Sequence, residues 1–193
     1  MPNWCFTQIV VTNCDSNQLK SLFEEWLEKG KEESDFKGSW IGSLVKYSGI
    51  GEPDAKGCPK CRGRIEDIDI VDSETLSFNT ETAWCPMLGW IKAILDKYSP
   101  DSKIVYTAEE CGEGLYETND PTLAGTWNVD SGCDLMDSEW SITENALLSR
   151  LNDALKKNFE TADSAIEYVI DNEVGDEIWF HKWDFGSVED WAA

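Results

Sequence analysis

An α+β fold follows from three features of the chain. Segments with strand and helix periodicity come in the order strand, helix, strand, strand, helix, strand. Two of them carry amphipathic stripes at 3.6-residue spacing, and the two middle strands are joined by only Asp72 to Glu74. Two helices laid on one face of an antiparallel sheet bury both stripes at once.

The first strand is predicted over Thr7–Thr12, centred on the β-branched run Ile9, Val10, Val11. The first helix follows, with Leu19, Leu22, Phe23, Trp26 and Leu27 at i, i+3, i+4, i+7 and i+8. Asp15 suits its N-cap, Gln18 stands where a capping box needs it, and Gly30 suits its end. Residues 31–64 hold six Gly and two Pro and read as a long loop, with a short helix over Trp40–Tyr47. A hairpin is predicted from Ile65–Val71, where Ile68 and Ile70 alternate with acids, and from Thr75–Thr80. The second helix opens near Pro86 and repeats Met87, Trp90, Ile91, Ile94, Leu95 and Tyr98 before Pro100 stops it. Lys103–Ala108 is the next strand, and Leu115–Glu117 and Thr126–Val129 extend the sheet as a meander. This order is the split βαβ arrangement, βαββαβ, of ferredoxin-like folds. The rest reads as two helices, Asn145–Lys157 and Thr161–Asn172, and a closing strand at Ile178–Trp183. The expected division is therefore a ferredoxin-like domain at 1–130 and a mainly helical extension at 131–193.

Charge is the most unusual property: 16 basic residues face 38 acidic ones, a net −22. Such a chain repels phosphate backbones, which argues against direct nucleic-acid binding. The asymmetry is local as well. Ile104 to Ser149 contains ten acids and no Lys or Arg, and the segment from Glu173 onward has six acids against one Lys. Ten tryptophans are many for 193 residues. Trp4, Trp84 and Trp90 lie in or beside the strongest elements and are expected in the core. Trp127, Trp140, Trp179, Trp183 and Trp191 lie in acidic segments. No run approaches the roughly 20 apolar residues of a membrane span. Met1 to Cys5 has no secretory-signal pattern, so a cytoplasmic location is expected.

The seven cysteines are odd in number and fit free thiols or a metal site better than a disulfide framework. Cys58-Pro59-Lys60-Cys61 resembles one knuckle of a zinc ribbon, in a basic stretch with Lys56, Arg62 and Arg64. No second such pair exists, so free loop thiols without a cofactor are the expectation and a zinc site on Cys58 and Cys61 the alternative. The lone histidine, His181, lies downstream in an aromatic strand. That order does not fit a zinc deaminase, which needs His-x-Glu before Pro-Cys-x-x-Cys. No spacing singles out a carboxylate pair for catalysis.

Met1-Pro2-Asn3-Trp4-Cys5 followed by a strand and a helix resembles the opening of the YubB-type ferredoxin-like family of plasmids and phages. Leu76 through Pro86, reading LSFNTETAWCP, is similar to that family's second hairpin strand and helix entry. Tyr106, Glu109, Glu110 and Gly112 resemble its Tyr-x-x-Glu-x-Gly at the end of the fourth strand. The resemblance covers roughly 1–127 and implies the fold and a mobile-element origin. It transfers no catalytic residue, cofactor or substrate.

The expected function is a non-enzymatic acidic binding protein of a mobile element, docking on and inhibiting a basic host protein that handles nucleic acid or serves in defence; the alternatives are a small zinc-binding module built on the Cys58–Cys61 loop and a carboxylate-dependent enzyme. Aromatic anchors and carboxylates suit that role. The candidate docking residues are Glu109, Glu110, Glu113, Glu117, Trp179 and Trp183.

Overall fold

The computed structural model describes residues 3–53, 55–112, 114–174 and 177–192. The fold is mixed α and β, and the chain divides into two units, Met1–Asp120 with Gly186–Ala193, and Pro121–Phe185.

The first unit contains β1 (Trp4–Thr12), α1 (Ser16–Lys29), α2 (Ile41–Tyr47), β2 (Gly63–Asp72), β3 (Thr75–Ala83), α3 (Gly89–Tyr98), β4 (Lys103–Glu110) and β5 (Leu115–Thr118). Its strands lie in the order β2-β3-β1-β4-β5, and each neighbouring pair is antiparallel. The central strand β1 alternates as expected, with Cys5, Thr7, Ile9 and Val11 buried. Ile9 lies opposite Phe78 on one side and Tyr106 on the other. α1 begins where Asp15 accepts from the Gln18 N–H at 3.0 Å and ends at Gly30, whose N–H reaches the Trp26 carbonyl.

Leu19, Phe23, Trp26 and Leu27 of α1 and Trp90, Ile91, Ile94 and Leu95 of α3 share one core with the sheet. At its centre Phe23, Phe78 and Trp90 form a triangle with ring centroids 5.8–6.2 Å apart. Burying each such ring contributes on the order of 1.5–3 kcal/mol. The short helix expected over Trp40–Tyr47 forms as α2. Ile41, Leu44 and Val45 of α2 are fully buried, and the Lys46 ammonium and Tyr47 hydroxyl converge on Glu33.

Two expectations need correction here. Trp84 is not core: its φ of 74° turns the indole outward and leaves it 49% exposed. Ile70 is also exposed. The β2–β3 register shifts between Glu66 and Asp69, with Asp67 at φ 52°, and the end of β2 beyond that bulge runs in solvent.

After the second unit the chain returns to the first. Ser187 and Asp190 form a reciprocal capping box on a single 3-10 turn, Val188–Trp191. The Gly186 N–H donates to the Thr118 carbonyl, and the Leu88 N–H to that of Trp191. A side chain at Gly89 would put its Cβ 2.5 Å from the Ala192 carbonyl oxygen, so this close approach requires glycine.

The second unit contains β6 (Trp127–Ser131), β7 (Glu139–Ile142), α4 (Glu144–Leu155), α5 (Ala162–Asp171) and β8 (Ile178–Lys182). Its antiparallel sheet has the order β7-β6-β8. Trp127–Val129 therefore does not extend the first sheet; it is the central strand of this second one. Trp127, Val129 and Ile142 pack with Leu147 and Leu151 of α4 and with Ala162, Ala165, Ile166 and Val169 of α5. The Asn152 side chain ties the connection between the helices by bonding both the N–H and the carbonyl of Phe159. No described helix is long and apolar enough to cross a membrane.

Candidate functional site

Within the first unit, the described acids that follow Ile104 do not share one face. Strand alternation divides the nearest of them between the two faces of the first sheet. Glu110 shares the buried face with Tyr106 and Ala108, is 2% exposed, and accepts from the Gly112 N–H at 3.0 Å. Glu109 lies on the opposite face, across from Phe6 and Tyr116, and is half-buried. Burial raises its carboxyl above the ordinary range. Glu113 lies outside the described residues.

Glu117 stands opposite Ala108 and so points to the helix side of the sheet. There one of its oxygens accepts from both the Tyr106 hydroxyl and the Trp191 indole N–H, the latter at 2.5 Å. Burial and the neighbouring carboxylate keep the Tyr106 phenol neutral far above its usual range. Glu117 thus fastens the returning C-terminal turn to the sheet, and a partner cannot reach that oxygen without breaking this contact.

The two tryptophans also separate. Trp183 is 3% exposed. Its backbone extends the β6–β8 ladder through Gly125 and Thr126, and its face is shared by the buried Thr126 and Asn128. Trp179 sits further along the same face, opposite Asp130, and is 53% exposed. Among the five described docking candidates, Trp179 has a large exposed surface, whereas Glu110, Glu117 and Trp183 are engaged inside the fold.

The second sheet carries a surface the sequence reading did not assemble. Val129 lies opposite both Glu139 and Phe180, and this side faces the helices, where Glu139 is ion-paired with Arg150 of α4. Trp140, next along β7, therefore turns to the open side and is 71% exposed. Strands lie about 4.8 Å apart, so Trp140 on β7 and Trp179 on β8 flank the central strand at a spacing on the order of 10 Å. Asp130 is exposed opposite Trp179, and Asp134 and Asp137 are exposed on the connection that follows. His181 shares this face opposite Asn128. Burial lowers its imidazole below the ordinary range, against the opposing pull of Asp130, so it adds little positive charge near neutral pH. The available signal in the sequence was the acid–Trp alternation around Asp130, Trp140 and Trp179. The missing information was the bulge in β7, with Ser141 at φ 57°, which sets the facing of Trp140.

Cys58 is half-buried and Cys61 buried. Among the described residues no group of three or more His, Cys, Asp or Glu side chains converges as a metal site. The tetrahedral donor set that a zinc site on Cys58 and Cys61 requires is not assembled there.

The chain matches no protein-family model, no curated protein and no solved structure. The geometry of the open sheet face therefore carries the functional argument.

Proposed function

We propose that the chain is a non-enzymatic acidic binding protein that docks on a cationic protein surface through the exposed part of its second sheet around Trp140 and Trp179. The observation that carries this reading is the exposure of two indoles on the second sheet, Trp140 and Trp179, with Asp130 exposed opposite Trp179. A Lys or Arg side chain docking at Trp179 meets an aromatic face and the Asp130 carboxylate, and Trp140 offers a second aromatic surface. A cation over an indole gains about 0.5–1 kcal/mol at an exposed site and more when desolvated. The −22 charge steers such a partner toward the protein and discourages nucleic acid.

The finer fold reading is ferredoxin-like. The order β2-β3-β1-β4, with α1 and α3 in one core with the sheet, supports it. The kinship with plasmid and phage proteins of the YubB type is part of the same proposal. Its support is positional: the LSFNTETAWCP run forms β3 and the entry to α3, and Tyr106 to Gly112 closes β4. On this reading the partner is a basic host protein that handles nucleic acid or serves in defence.

Calorimetric titration with a synthetic Arg- and Lys-rich peptide tests the proposal. Affinity should fall several-fold as ionic strength rises from about 0.01 M to about 0.15 M, because the screening length shrinks from about 30 Å to about 8 Å. Undetectable binding, or an affinity indifferent to salt, would overturn it.

A further inference from the structure

A concavity in the first unit has the opposite character. It is lined by Lys60, Arg62, Ala83, Trp84, Cys85 and Met87, together with Cys61, and encloses about 360 Å³. That falls within the roughly 300–1,000 Å³ of small-molecule sites. Among the described residues no Asp or Glu lines it. Lys60 and Arg62 are both exposed, and among the described residues neither forms an ion pair. Arg64, two residues on, is instead neutralised by Glu81 and Glu66.

The aromatic wall is held in an unusual way. Trp84 adopts a φ of 74°, a conformation that costs a bulky residue on the order of 1–3 kcal/mol. Three hydrogen bonds impose it. The Trp84 N–H donates to the Asn3 carbonyl at 2.9 Å, the Ala83 N–H to the Arg62 carbonyl at 3.1 Å, and the Thr82 hydroxyl to the Cys85 carbonyl at 2.7 Å. The indole is thereby fixed outward beside the two cations, while Ala83 and Met87 on either side are buried. Glycine would suit this backbone better, so the tryptophan costs stability here.

We propose that this concavity is a nucleoside monophosphate site. The base stacks on Trp84, a contact worth about 1–3 kcal/mol per base in other proteins. The phosphate is held by the Arg62 guanidinium, whose fork can take two of its oxygens, and by Lys60. Burial raises the Cys85 thiol, so this wall stays neutral and does not oppose an anion. The choice of a monomer follows from charge. One phosphate is met by two local cations, whereas each further phosphate of a polymer runs into the −22 field. The inference does not depend on the docking face of the second unit.

Calorimetric titration of the full chain with AMP and UMP tests it, with adenosine, inorganic phosphate and a single-stranded oligonucleotide as comparisons. The monophosphates should bind saturably, and adenosine or phosphate alone at least about tenfold more weakly. Arg62→Ala should weaken AMP binding by about tenfold or more. Trp84→Gly relieves the positive φ while removing the stacking surface, so it should retain or gain thermal stability yet lose AMP binding. Three results each overturn the proposal: no saturable binding of either monophosphate at millimolar concentration, AMP affinity unchanged in Arg62→Ala or Trp84→Gly, or tighter binding of the oligonucleotide than of AMP.

Discussion

Replacing Glu117 by alanine should destabilise the first unit without affecting docking. The carboxylate accepts from the Tyr106 hydroxyl and from the Trp191 indole N–H. Hydrogen bonds to a charged group contribute about 1.5–3 kcal/mol each, and a stranded donor costs about 1–3 kcal/mol. Glu117 is half-buried, so some of that loss is recovered by water, and about 2–4 kcal/mol in all is a reasonable sum. Glu117→Gln retains an acceptor of the same shape and should lose about 1–2 kcal/mol. The assay is urea unfolding followed by tryptophan fluorescence, with hydrogen exchange reporting on the Gly186 and Leu88 amides, which bind the C-terminal turn at both ends. Both amides should exchange faster in Glu117→Ala. Affinity for the basic peptide should stay within about twofold of the parent. A stability change under about 0.5 kcal/mol, the usual range of surface substitutions, would refute the anchoring role. A large loss of peptide affinity with unchanged stability would return Glu117 to the docking surface.

Three further outcomes follow from the same packing. Gly89→Ala drives a Cβ to 2.5 Å from the Ala192 carbonyl, so a loss of about 1–3 kcal/mol and faster exchange of the Leu88 amide are expected. Burial raises Cys5 from 9.0 to about 12 and raises Tyr106 as well, so the native state holds these protons longer than the unfolded chain. Their contribution is complete below about pH 9 and is lost as pH climbs toward 12; urea midpoints should fall across that window, less steeply in Cys5→Ala. Burial raises Glu109 too, so its ionised form weakens the fold once pH exceeds the unfolded carboxyl value. Glu109→Gln should therefore be more stable than the parent at neutral pH, with the gain vanishing in acid, as urea midpoints at the two pH values would show.

What the sequence made legible follows from how local each signal is. The cap at Asp15, the stop at Gly30 and the stripe from Leu19 to Leu27 lie within a few residues of one another, and α1 formed where they pointed. The hairpin strands were equally local, apart from the bulge at Asp67 that displaced Ile70. Long-range partners were not legible. Nothing near Glu117 announces that Trp191, 74 residues later, returns to share its oxygen with Tyr106. Trp127–Val129 has a strand's composition, but only its pairing with Ile178–Lys182 determines which sheet it joins. Trp84 and Trp140 were misplaced or left undecided for one reason. A single positive φ, at Trp84 itself and at Ser141 beside Trp140, turns a strand's alternation at that point. Burial and strand facing, which composition does not encode, engaged Glu110 and Glu117 inside the first unit and left Asp130 exposed on the second.

Fluorine NMR of 5-fluorotryptophan-labelled protein reads directly which indoles meet a cationic partner. With each resonance assigned by single Trp→Phe variants, the basic peptide should move the Trp140 and Trp179 signals and leave those of the buried Trp90 and Trp183 in place. If both exposed second-sheet signals stay still while the peptide binds, or if Trp84 alone responds, the docking face has been put in the wrong place.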